Sequence, residues 1–168
     1  MLLSGYLPAN AGRRDRTLEQ KRAEYGGFVE QYYHTREVGE ENKKTFHQIQ
    51  IDLPRTSASP LFQAPDVQRI LERALYIWSI RHPGSGYVQG MNDLITPFFV
   101  VFLTPHVKDG DLQEVTQLQT IDASVLDAVE ADTYWCLSKL LDGIQDNYIA
   151  SQPGIQKKIR QLQDLVSR

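Results

Sequence analysis

The chain has 168 residues, 41% of them apolar and 23% charged, which suits one globular domain with its own core. Its net charge of −3 and pI of about 5.8 argue against a nucleic-acid-binding surface as the main function. A single cysteine, Cys136, excludes an internal disulfide framework and fits a reducing compartment.

Met1-Leu2-Leu3 lacks the basic region and the apolar length of a signal peptide. Residues 2–12 read as an irregular lead-in, with Pro8 and Gly12 as breakers. The basic run Arg13, Arg14, Arg16, Lys21 and Arg22 reads as a solvated helix start. Thr17 and Gln20 have capping-box spacing, and Leu18, Arg22, Tyr25, Val29, Tyr32 and Tyr33 then follow helical spacing. Gly26-Gly27 inside that helix costs about 1 kcal/mol per glycine relative to alanine, which close packing of another helix would explain. Gly39 ends the segment.

Phe46, Ile49 and Leu53 form the next apolar stripe. Pro54 disfavours the helical region for Leu53, so the helix is expected to stop there, with Asp52 in its last turn and Arg55 just outside. A carboxylate in a last turn opposes the helix dipole, so Asp52 is expected to have a basic partner. Pro65-Asp66 opens the strongest helix, with Val67, Ile70, Leu71, Ala74, Leu75, Ile77 and Trp78 on a wide apolar face and Pro83-Gly84 as its stop. Residues 91–103 predict a helix apolar nearly all round, hence a central buried one, with Pro97 accommodated by a kink. Its apolar run, residues 94–103, is too short for a bilayer span of about 20 residues.

Residues 108–122 are polar and aperiodic, the pattern of a surface loop. Leu126, Val129, Thr133, Leu137, Leu140 and Ile144 then mark a helix face, with Trp135 beside it and Cys136 as a buried small hydrophobe. Pro153-Gly154 punctuates, and Ile155, Ile159, Leu162 and Leu165 or Val166 suggest a last helix. No segment alternates with period two for long, so the class is all-α.

Much chemistry is missing. His34, His47, His82 and His106 form no H-x-x-x-H pair, so no metal site is expected. Pro83 breaks the G-x-S-x-G pattern, Gln89 breaks G-x-G-x-x-G, and no Walker lysine is present. What remains is two short stretches. Gly86-Tyr87-Val88-Gln89-Gly90-Met91-Asn92-Asp93 places Gln89, Asn92 and Asp93 together at a helix break. Ile49-Gln50-Ile51-Asp52-Leu53-Pro54-Arg55 sets an arginine just beyond a proline stop. The two are expected to work as a pair, although Arg55 alone would read as an ordinary surface arginine.

Ile49-x-x-Asp52-x-x-Arg55 and Tyr87-x-Gln89 resemble the I-x-x-D-x-x-R and Y-x-Q motifs of TBC-domain Rab GTPase-activating proteins. Residues 78–83, 130–136 and 141–148 resemble the TBC domain family member 22 group, near the yeast Gyp-type activators. The resemblance implies a multi-helix TBC domain of which residues 1–168 are the N-terminal, loop-bearing part. The family's upstream R-x-x-x-W motif is absent, and in the family several helices continue beyond the position of Arg168. It also implies an activator that is not a hydrolase by itself. Arg55 would be an arginine finger and Gln89 a glutamine finger, given in trans to a Rab GTPase. Ile49, Asp52, Tyr87, Gly90, Asn92 and Asp93 would support them. The chain would need no cofactor of its own, since GTP and magnesium belong to the Rab. Its place would be cytoplasmic, peripheral to Rab-bearing membranes such as the Golgi, where it would regulate vesicle traffic. The competing reading is a non-catalytic Rab-binding or scaffolding module of the same fold.

Overall fold

A computed structural model describes residues 7–107, 121–144 and 153–166, and the described residues are helical with irregular connections and no strand. Among the described residues seven α-helices follow in order: α1 (Arg14–Tyr32), α2 (Glu40–Thr56), α3 (Pro60–Gln63), α4 (Pro65–Arg81), α5 (Met91–Leu103), α6 (Ala123–Ile144) and α7 (Pro153–Val166). The expected surface loop falls almost wholly on residues 108–120, outside the described ones.

The start of α1 differs from the capping-box expectation. A 3₁₀ turn over Ala11–Arg13 leads in, and the Asn10 side chain accepts from Gly12 N at 3.0 Å. Thr17 already lies inside the helix, its hydroxyl donating to Arg13 O at 2.8 Å. A Cβ at Gly26 or Gly27 would meet nothing within 4 Å, so among the described residues no helix packs closely there.

The boundaries of α4 follow its punctuation. Pro65 sits at the first helical position, Ala64 before it is extended, and Asp66 lies in the first turn, where a carboxylate favours the dipole. Its stripe buries Val67, Leu71, Ala74, Leu75, Ile77 and Trp78, and also Tyr76, which the stripe omitted. Tyr76 meets Phe46 of α2 edge-on at 5.6 Å between ring centroids, fastening α2 to α4.

The central helix is α6, not α5. Every residue from Val129 to Ser138 is buried, and α1, α4 and α5 all pack around this helix, while α2 packs on α4 and α5. The face through Val129, Thr133 and Leu137 lies inside as expected, but Leu140 is partly exposed. The helix α5 is buried on one side only, through Met91, Ile95, Phe99 and Leu103, while Val101 is 63% exposed. Cys136 is buried as expected, and burial pushes its thiol up to about 11. In α7, Leu162, Leu165 and Val166 are exposed.

Two buried carboxylates tie α6 to its neighbours. Glu130, 1% exposed, takes both arms of the Arg73 guanidinium from α4 and the Tyr25 hydroxyl from α1. Burial drives the Glu130 carboxyl up, and Arg73 opposes it. Asp132 takes Nε and Nη2 of Arg22 at 3.1 and 2.6 Å. Arg22 is therefore part of the packing between α1 and α6, not a member of a solvated charge run.

Candidate functional site: two segments tied at the end of α2

The last two turns of α2 place one acid inside and one base outside. Ile49, Asp52 and Leu53 are buried, whereas Arg55 is exposed. Contrary to the expected stop at Leu53, the helix continues through Pro54 to Thr56, and Arg55 lies in its last turn rather than on a loop. The reason is local capping. Proline removes one helix N–H, but the carbonyls at this end find other donors. Thr56 Oγ1 donates to Asp52 O at 3.2 Å, and Gln63 Nε2 from α3 donates to Pro54 O at 2.9 Å and to Ser57 O at 2.7 Å.

Asp52 is 4% exposed, and its partners are neutral, not basic. Gln48 Nε2 donates to Oδ1 and the Tyr87 hydroxyl to Oδ2, each at 3.0 Å, and among the described residues no cation pairs with it. Two neutral donors satisfy the carboxylate without desolvating a second charge. Burial, reinforced by Asp52, raises the Tyr87 phenol well above its ordinary value, so this hydroxyl is a durable donor at neutral pH.

The second segment leaves α4 at His82, whose carbonyl accepts from Ser85 N at 3.1 Å and Gly86 N at 2.8 Å. It then turns through Tyr87, Val88 and Gln89 into the start of α5. Gly90, at φ +100°, precedes the first helical residue, a conformation that strains any residue with a Cβ. The Asn92 side chain, buried, closes the turn: Oδ1 accepts from Gly90 N at 3.0 Å and lies 3.4 Å from the Tyr87 hydroxyl. Its Nδ2 donates to Thr56 Oγ1 at 2.8 Å and to Asp93 Oδ1 at 3.2 Å.

Asp52, Tyr87, Gly90, Asn92 and Asp93 thus form one network, and Ile49 is fully buried in the core. Arg55 and Gln89 are both exposed, and among the described residues neither side chain has a hydrogen bond or ion pair. The arrangement holds a guanidinium and a carboxamide out to solvent from two segments tied together below them. Sequence reasoning missed Thr56, Gln48 and Gln63. A lone polar residue beside a proline carries no periodicity, so only the fold reveals what it caps. Among the described residues no cluster of three or more His, Cys, Asp or Glu could hold a metal, and no helix is long and apolar enough to cross a membrane.

Comparison with known proteins gives the family. TBC1 domain family member 22B of Homo sapiens is 60% identical over 169 residues, covering 99% of this chain and 33% of that protein. GTPase-activating protein GYP1 of Saccharomyces cerevisiae is 46% identical over 175 residues, covering 99% of this chain and 26% of that protein. The crystal structure of the Ypt/Rab-GAP domain of Gyp1p superposes with a TM-score of 0.83 at 46% identity, over 99% of this chain and 52% of that one. The chain therefore spans about a quarter to a third of the length of these curated relatives. The sequence model of the Rab-GTPase-TBC domain matches residues 1–168, and the chain belongs to that family.

Proposed function

We propose that this chain carries the catalytic groups of a Rab GTPase activator, with Arg55 as the arginine finger and Gln89 as the group that orients the attacking water. The observation that supports this most is the pairing of two exposed side chains, unengaged among the described residues, on segments joined by part-buried hydrogen bonds. In GTP hydrolysis, water attacks the γ-phosphorus, the bond to the β–γ bridging oxygen breaks, and GDP and phosphate leave. Negative charge grows on the bridging and γ-oxygens. A planar guanidinium meets that charge with two parallel N–H donors. An arginine supplied in trans is worth about 10³–10⁵ in rate, or roughly 4–7 kcal/mol of barrier. The Gln89 carboxamide accepts from the water and aims its lone pair at the phosphorus. Nucleotide and magnesium are the Rab's, and the chain adds only side chains. Working on membrane-bound Rab proteins places it at the cytoplasmic face of vesicle-trafficking membranes.

Single-turnover GTP hydrolysis by a panel of Rab GTPases, with and without the full-length protein, tests this. At least one Rab is expected to hydrolyse faster, and Arg55→Ala is expected to remove nearly all of the stimulation while the Rab still binds. Binding without stimulation by the unaltered protein would make this a non-catalytic Rab-binding module.

A further inference from the structure

Thr56 directly follows Arg55, and Asn92 stands three residues beyond Gln89. The hydrogen bond between them is the second tie between the two segments. The first, from Tyr87 to Asp52, is made on the N-terminal side of Gln89; the second is made on its C-terminal side. A loop tied at one point still pivots about that point, whereas ties on both sides of Gln89 fix its position against the end of α2.

The chemistry of the second tie is specific. The Thr56 hydroxyl spends its one proton on Asp52 O and offers a lone pair to Asn92 Nδ2–H. With Nδ2 turned to Thr56, the Asn92 amide presents Oδ1 to Gly90 N–H, the first backbone donor after Gln89. One carboxamide therefore reads the residue after Arg55 and holds the backbone after Gln89. A valine at position 56 would fill the same volume and break the link.

We propose that Thr56 and Asn92 are positioning residues for GTPase stimulation, and that their hydrogen bond sets the spacing of Arg55 and Gln89. The proposal rests on the reading of those two residues as the catalytic pair. Neither Thr56 nor Asn92 need touch the nucleotide; Thr56 acts through Arg55 beside it, and Asn92 through the Gly90 backbone that follows Gln89.

The test is single-turnover hydrolysis by a responsive Rab across a range of concentrations of the full-length protein, carrying Thr56→Val, Thr56→Ser, Asn92→Ala, Thr56→Val with Asn92→Ala, or Arg55→Ala. Misplacing a catalytic group by about 1 Å costs on the order of 100-fold, so Thr56→Val is expected to lower the saturating rate constant about 10- to 100-fold. The half-saturating concentration should stay within about threefold, because a group that acts in the transition state moves rate more than affinity. Thr56→Ser, which keeps the hydroxyl, should restore the rate, and Thr56→Val should cost nothing further in the Asn92→Ala background. A saturating rate unchanged by Thr56→Val, or additive losses in the double variant, would overturn the proposal. So would rate and affinity falling together with the thermal midpoint, which is the mark of a merely structural role. Loss of stimulation in Arg55→Ala with full stimulation in Thr56→Val would sink the positioning claim alone. Stimulation that survives Arg55→Ala would overturn the catalytic reading and this inference with it.

Discussion

Arg55 and Gln89 differ from their neighbours in what they leave undone. Asp52, Tyr87, Thr56 and Asn92 spend hydrogen-bonding groups on one another, while among the described residues the two exposed side chains keep theirs. If both act on one transition state, Arg55→Lys should recover little, because a point charge does not reproduce the planar fork. Gln89→Ala should also lose most stimulation, and the double variant should be little worse than either single, since groups acting as a unit are not additive. Saturating single-turnover rates of the four proteins measure this, and strictly additive losses would mean that the two residues work independently. Most of the residues in this network were legible in the sequence, because they lie in the two stretches that resemble the family's motifs. The partner of Asp52 was not. The helix dipole pointed to a cation, but the chain satisfies that carboxylate with a phenol and an amide brought from 35 and 4 residues away.

At the scale of elements, proline and glycine spoke plainly in some places and misled in one. Pro65 and Pro83 bound α4, and Gly90 stands immediately before α5, as their backbone preferences require. Pro54 did not end α2, and Thr56 and Gln63 supply donors to carbonyls near that helix end. Composition alone also could not rank α5 against α6. The former is more apolar, yet α6 lies at the centre, because its buried acids are answered by arginines 57 and 110 residues away in sequence. Gly90 gives the element-scale prediction. A Cβ there meets nothing within 4 Å, so Gly90→Ala costs only conformational strain, about 1–2 kcal/mol at φ +100°. Chemical denaturation should show that loss. Stimulated hydrolysis should fall by more than stability does, because the strained residue directly follows Gln89. Wild-type stability in the variant would contradict the assigned backbone conformation.

Over the whole molecule, stability rests on a helical core stapled by buried polar pairs. Glu130→Ala would leave the Arg73 guanidinium without its buried acceptor and should cost about 3–5 kcal/mol in denaturant unfolding. A loss below about 1 kcal/mol would mean that water replaces the carboxylate. Alkaline pH gives a second handle. Burial raises Tyr25, Tyr76, Tyr87 and Tyr134, and raises Tyr33 to about 12 and the Cys136 thiol to about 11, each above its ordinary value of 10.0 or 9.0. The folded chain therefore holds protons that the unfolded chain has lost, and stability falls as pH rises through that window. These contributions should be fully present below about pH 9 and decline toward pH 12. Unfolding midpoints followed across that range, with tyrosinate absorbance rising together with unfolding, would show it, and a flat stability profile would contradict it.

In the proposed mechanism this chain gives a Rab both its charge-stabilising guanidinium and its water-orienting carboxamide. The most direct measurement uses a responsive Rab whose own switch glutamine is replaced by alanine. Single-turnover hydrolysis is followed with the full-length protein, unaltered and as Gln89→Ala. The altered Rab should still respond to the unaltered protein, and Gln89→Ala should abolish the response. Loss of all response to the unaltered protein would contradict it, and would leave Gln89 as a structural loop residue beside a Rab that orients its own water.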